Sequence, residues 1–289
     1  RMDTSELLKR VRRVEIKSRG LSDRIFSGQY HSAFKGRGMA FSENREYTPG
    51  DDVRAINWNV TARMGTPYLK VFEEERELTV FIIADISGSI DIGTKGTTKR
   101  DRITELAAVL GFSALKNNDK VGAILFSDKV ERFIPPKKGR SHVLRIIREL
   151  LDTKAEGKGT DINNALDHFL SAMKKRTVAF MLSDFVGEGF EKLLKRAGKK
   201  HDFIALQIED PIDSELPNIG FIPMIDPETE IESWFTSGSK KSRKNYKALE
   251  LEKKEKLEKA FSRSGVDYTT ISTDKDFVKP LMQLFDRRG

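Results

Sequence analysis

The segment Asp85-Ile86-Ser87-Gly88-Ser89 sets one carboxylate and two hydroxyls at alternate positions directly behind the apolar run Leu78–Ala84. Hydrophobic packing has no use for that set, whereas a hard cation takes oxygen ligands of this kind. Mg2+ wants near-octahedral oxygen coordination and keeps several of its waters, so one carboxylate and two hydroxyls can hold it with residual charge and an open position. The same residues also suit a plain strand-to-helix turn, because Asp and Ser bond nearby backbone and cap helices. Two later segments favour the metal. Thr160 and Asp161 end the glycine-bearing run from Gly157 and lead into a helical pattern, and the apolar run Val178–Ser183 ends, like the first, in an aspartate, Asp184. Ligands of open α/β sheets collect beyond the carboxyl ends of parallel strands, which is where these residues would meet.

Positioning them requires strands and helices in alternation, and the periodicity supplies it. Tyr68–Phe72, Glu77–Asp85, Lys120–Phe126, Val130–Ile134, Thr177–Ser183, Asp202–Ile208 and Asp267–Ser272 read as strands. Ser5–Arg19, Asp101–Lys116, Ser141–Leu151, Asp161–Met173, Gly187–Ala197, Lys241–Arg263 and Lys275–Phe285 read as helices. Pro211–Phe235, broken by prolines, reads as a β-hairpin insertion. The expected fold is α/β: a doubly wound, mainly parallel sheet with helices on both faces over residues 77–289, preceded by a small accessory segment over residues 1–76.

Asp85, Ser87 and Ser89, then Thr160, then Asp184 resemble, in order and context, the metal-ion-dependent adhesion site (MIDAS) of von Willebrand factor A-type domains. The resemblance implies that Ser87, Ser89 and Thr160 touch the ion, Mg2+ or else Mn2+ or Ca2+, while Asp85 and Asp184 act directly or through water. Asp161 either supports the threonine or starts the helix beside it.

Between Gly28 and Thr66 the apolar periodicity gives way to glycines and charges, so a long irregular segment is expected. Within it Arg45–Trp58, followed by Ala62-Arg63 and Val71–Glu77, is similar to the family named domain of unknown function 58, whose members carry this signature just before a von Willebrand A-type core. That pattern usually has aspartate where Asn57 stands here. Pro49-Gly50 before Asp51-Asp52 marks a turn, and Arg45, Arg54 and Arg63 can pair with Asp51, Asp52 or the run Glu73–Glu75. The segment is therefore expected to fold through charge pairs. It could also form a docking surface using Arg45, Tyr47, Asp51, Asp52, Arg54 and Trp58. Gly36-Arg37-Gly38 is too short a fingerprint to define a phosphate cradle.

Composition narrows the function further. There is no cysteine among the 289 residues, which removes disulfides, thiol catalysis and Cys-bound zinc. No apolar run approaches the length of a membrane span and the amino end lacks a signal pattern, so a soluble, cytoplasmic protein is expected. Lys and Arg number 52 against 44 Asp and Glu, a net +8, but the basic residues are scattered and no nucleic-acid motif accompanies them. Ser87 stands where an Asp-x-Asp phosphotransferase would need its second carboxylate. None of the four histidines lies in a recognisable triad, and no glycine loop leads to a P-loop lysine. The expectation is a non-enzymatic, metal-dependent protein-interaction module. The family resemblance implies an AAA+ ATPase of the MoxR type as partner, in chaperone-like complex assembly, with an acidic ligand at the ion. The alternative is a divalent-metal phosphoester hydrolase.

Overall fold

The computed structural model describes residues 4–35, 43–71, 77–91, 93, 96–157, 159–214, 221–225, 232–236 and 240–288. Its elements are α1 (Thr4–Leu21), α2 (Ser27–Lys35), β1 (Glu43–Glu46), α3 (Trp58–Met64), β2 (Tyr68–Val71), β3 (Thr79–Asp85), α4 (Lys99–Lys116), β4 (Lys120–Phe126) and β5 (Val130–Lys137). They continue with α5 (Arg140–Asp152), α6 (Ile162–Ala172), β6 (Val178–Ser183), α7 (Glu191–Lys200), β7 (Asp202–Glu209), α8 (Pro211–Ser214), β8 (Phe221–Ile225), β9 (Glu232–Thr236), α9 (Lys240–Ser264), β10 (Asp267–Ser272) and α10 (Val278–Asp286).

Six strands form one sheet in the order β10-β7-β6-β3-β4-β5. All pairs are parallel except β4–β5. The chain leaves β3 toward β4 on one side and later returns to β6 on the other, so the order reverses between β3 and β6. Strand β3 is buried along nearly its whole length because it is central, and its alternate residues feed two separate cores. Val80, Ile82 and Ala84 pack with α1, α4, α5 and α10, whereas Phe81 and Ile83 pack with α6, α7 and α9. The prolines at 135 and 136 sit in β5, the edge strand, where a missing backbone donor is tolerated.

The amino-terminal helices belong to the first of these cores. Leu7, Val11, Phe26 and Tyr30 are buried in it, and the Phe34 ring lies 5.5 Å from that of Phe285. A short π-helical turn, Ser22–Phe26, joins α1 to α2. The irregular stretch expected from Gly28 is thus helical through Lys35 and resumes as β1, a single 3-10 turn at Val53–Ala55, α3 and β2. Strands β1 and β2 pair antiparallel as a separate two-stranded ladder. Helix α7 starts at Glu191 rather than Gly187, because Gly187 and Gly189 take φ of +146° and +78°, which no helix accommodates. Helix α10 likewise starts at Val278, three residues later than the periodicity suggests. Strands β8 and β9 pair antiparallel within the expected hairpin region. The Gly36–Gly38 run and the Glu73–Glu75 run lie outside the described residues.

Candidate functional site

The parallel register sets Asp85 opposite Phe126 on β4 and Ala84 opposite Leu182 on β6, so Asp85 and Ser183 end neighbouring strands at the switch point of the sheet. Asp85 is 0% exposed. Its Oδ1 accepts from the Ser87 backbone N–H at 2.9 Å, which folds the chain into a turn, and its Oδ2 accepts from Ser183 Oγ at 2.7 Å. The Ser87 and Ser89 hydroxyls are 3.2 Å apart. Asp184 follows Ser183. Its Oδ1 accepts from the Val186 N–H at 3.3 Å, and Ser183 Oγ accepts from the Phe185 N–H at 2.9 Å. Phe185 is thereby held at φ +55°, an unusual conformation for a bulky residue, with its ring 5.0 Å from that of Phe261.

Thr160 stands on the loop before α6, and that loop is fastened to the end of β4. The Asp161 N–H donates to the Ser127 carbonyl at 2.8 Å. Glu131 Oε1 accepts from the N–H groups of Glu156 and Gly157, at 2.9 and 3.0 Å, and from Ser127 Oγ at 2.6 Å. Gly157 lets the loop close on Asp128, since a Cβ there would fall 1.7 Å from Asp128 Oδ1 and push that side chain aside. Asp161 accepts from the Asn164 N–H at 3.0 Å and caps α6, so its side chain serves the helix start. The loop bearing Thr160 therefore adjoins β4, the neighbour of β3, at the same sheet edge as Asp85.

The electrostatics of this edge are those of clustered carboxylates. Burial, first, and the nearby Asp184 carboxylate, second, push the Asp85 carboxyl up to about 6, against hydrogen bonds from Ser87 and Ser183. Two carboxylates this close favour a cation between or beside them. One is built in: Lys99 Nζ lies 3.1 Å from Asp184 Oδ2 and 2.8 Å from Asp213 Oδ2. Neither Lys99 nor Asp213 stood out in the sequence, since a lysine beside a helix cap reads as a solvated charge.

The donor set fits a small hard cation that binds chiefly through hydroxyls. Neighbouring ligands of an octahedral Mg2+ at roughly 2.0–2.1 Å are about 2.9–3.0 Å apart, close to the Ser87–Ser89 spacing. Among the described residues no group of three or more His, Cys, Asp or Glu could hold a metal, so a site built from acids or imidazoles is not present there.

In the family signature, Arg45 forms a bidentate pair with Asp51, at 2.8 and 2.7 Å, and Asp51 also accepts from the N–H and hydroxyl of Thr48. These bonds hold the Asp51 carboxyl far below the usual range. Asp52 caps the 3-10 turn by accepting from the Arg54 N–H at 2.9 Å. Asn57 donates its side-chain amide to Asn44 at 2.9 Å, fixing α3 to β1. Tyr47 is half-buried, its N–H donating to the Pro67 carbonyl. Trp58 is 69% exposed.

The six-stranded, mainly parallel sheet with helices on both faces, its order reversing between β3 and β6, defines a doubly wound α/β protein. The chain belongs to the family described as protein of unknown function DUF58, which matches residues 43–256. It is similar to the uncharacterized protein Rv1480 of Mycobacterium tuberculosis, 27% identical over 99% of this chain and 91% of that protein. Among solved structures it is similar to BatB, a conserved hypothetical protein from Bacteroides thetaiotaomicron, at 15% identity and a TM-score of 0.48, over 73% of this chain and 98% of the other. It is also similar to the SpRpn10 VWA domain at 13% identity and a TM-score of 0.40, over 73% of this chain and 95% of that domain. Among the described residues no helix is long and apolar enough to cross a membrane.

Proposed function

We propose that this chain is a protein-interaction module that captures an acidic side chain of a partner at the Asp85 edge of its sheet. The observation that carries the reading is the juxtaposition of a fully buried carboxylate, Asp85, with the Ser87 and Ser89 hydroxyls, 3.2 Å apart at the switch point. Ser87, Ser89 and Thr160 would hold a divalent ion, Mg2+ or Mn2+ or Ca2+, with Asp85 and Asp184 balancing its charge. When bound, the ion supplies a Lewis-acidic position that accepts a carboxylate oxygen in place of water. The chain's own part is to hold the hydroxyls close together, to keep Asp85 ionisable in a dry setting, and to fix the Thr160 loop through Glu131. Our reading assigns no bond-breaking step to the site. The partner in this reading is an AAA+ ATPase of the MoxR type or a client delivered with it, which the family signature supports, and the setting is cytoplasmic complex assembly.

The test is titration of such an ATPase against wild type, Asp85→Ala and Thr160→Ala, in Mg2+ and then in EDTA. Wild type in Mg2+ should bind about tenfold or more tightly than either variant or the chelated protein, the scale of one lost charged contact. Equal affinities throughout would remove the ion from the interface, and steady turnover of p-nitrophenyl phosphate with Mg2+ would replace the reading with a hydrolase.

A further inference from the structure

We propose that Lys99 sets the affinity of this site for a divalent ion, by holding Asp184 with an internal positive charge against which an incoming ion must compete. The inference rests on the metal reading above and goes beyond it by naming the residue that tunes the site. Lys99 is the first residue of α4, directly after Thr98, whose capping box with Asp101 fixes the helix start. Its side chain is carried inward rather than to solvent, and the residue is only 3% exposed. There the ammonium bridges two loops that follow neighbouring strands: Asp184 after β6, at 3.1 Å, and Asp213 in α8 after β7, at 2.8 Å. Tyr246 of α9 faces the same group, its hydroxyl pushed up to about 12 by burial, Glu250 and Asp213, with Lys99 opposing. Burial pulls the Lys99 amine down, but the Asp184 and Asp213 carboxylates outweigh it and hold the amine above its usual value.

Two consequences follow for an ion at the hydroxyls. One oxygen of Asp184 is already satisfied by an N–H donor, so the ion gains less from that carboxylate than from a free one. A fixed positive charge also sits within direct contact of a prospective ligand, and like charges repel strongly where water is excluded. An ion alone therefore binds weakly here. A partner carboxylate adds the negative charge that Lys99 has claimed, so ion and partner bind best together.

The experiment measures Mn2+ affinity by electron paramagnetic resonance, together with the Mn2+-induced rise in Tm, for wild type, Lys99→Gln, Lys99→Met and Lys99→Gln combined with Asp85→Ala. Gln keeps amide donors for both carboxylates, and Met keeps length without polarity, so a folding defect in one leaves the other to answer. Either charge-removing variant should bind Mn2+ about tenfold or more tightly than wild type, with a larger rise in Tm, and Asp85→Ala should abolish the gain. A merely structural lysine predicts the opposite, since loosening the site would weaken binding. Unchanged or weaker binding in both variants, with wild type binding measurably, overturns the role of Lys99 and leaves the metal reading standing. Binding by the variants alone upholds Lys99 while showing the wild-type site to be metal-free. No binding by any of them overturns both.

Discussion

The Tyr30 hydroxyl donates to Asp119 Oδ2 at 2.9 Å, a bond between α2 and the turn that leads into β4, joining positions 89 apart in the chain. Asp119 Oδ1 accepts from the Leu78 N–H at 2.9 Å, so one buried carboxylate ties the amino-terminal helices to the entry of the strand that ends in Asp85. Burial and the Asp119 charge raise the Tyr30 hydroxyl well above its usual value, which keeps it a donor throughout the accessible pH range.

Tyr30→Phe should therefore destabilise the whole fold, not only the amino-terminal helices. Loss of a buried hydrogen bond to a charged acceptor costs about 1.5–3 kcal/mol. Urea unfolding followed by far-ultraviolet circular dichroism should show one shifted transition. A change below about 0.5 kcal/mol, within the range of ordinary surface substitutions, would mean that the helices are only loosely attached.

The segments that end in chemistry were the most legible. A short apolar run with the length of a buried strand, closed by Asp85, states its place in the sheet. The alternation of elements likewise dictates the parallel sheet. What could not be read depends on long-range partners or on backbone conformation. Nothing local in the sequence says that Tyr30 and Phe26 complete the core beside Phe277 and Phe285. The late start of α7 follows from left-handed glycines, whose φ no periodicity reveals. Lys99 is the largest such gap at the site. Its partners lie 85 and more residues downstream, on loops that only the folded sheet brings together.

His201 gives the fold a defined response to acid. It is 2% exposed, and its ring lies 4.7 Å from that of Phe169. Burial first, then Lys200 and Arg176, lower its pKa from 6.5 to about 4. The folded state thus prefers the neutral ring, so the stabilisation is fully present above the unfolded value near 6.5 and is lost as pH falls through 6.5 toward 4. The full difference is about 3 kcal/mol at 1.36 kcal/mol per unit. His201→Phe, which keeps an aromatic ring against Phe169, should flatten the stability profile between pH 4 and 6.5 relative to wild type. Parallel profiles for the two proteins would place the acid sensitivity on other groups.

Arg45 and Trp58 divide the family signature into a clasp and a free face. The Arg45–Asp51 pair, reinforced by Thr48, closes the turn that precedes α3, and Asn57 fixes the start of that helix to β1. Trp58 opens the helix with most of its surface in water, and Val53 and Met64 nearby in sequence are also exposed, at 59% and 61%. Solvent exposure of a large indole has no folding benefit, whereas Trp is enriched among the residues that dominate binding at interfaces. Trp58→Ala should therefore leave stability within about half a kcal/mol of wild type, while weakening partner binding about tenfold or more. Arg45→Ala should open the turn, seen as faster amide exchange between residues 47 and 57, with any loss of partner affinity following from that disorder. Titration of the partner against both variants, with hydrogen exchange on the free proteins, separates the two roles. Unaltered binding by Trp58→Ala would confine recognition to the Asp85 edge.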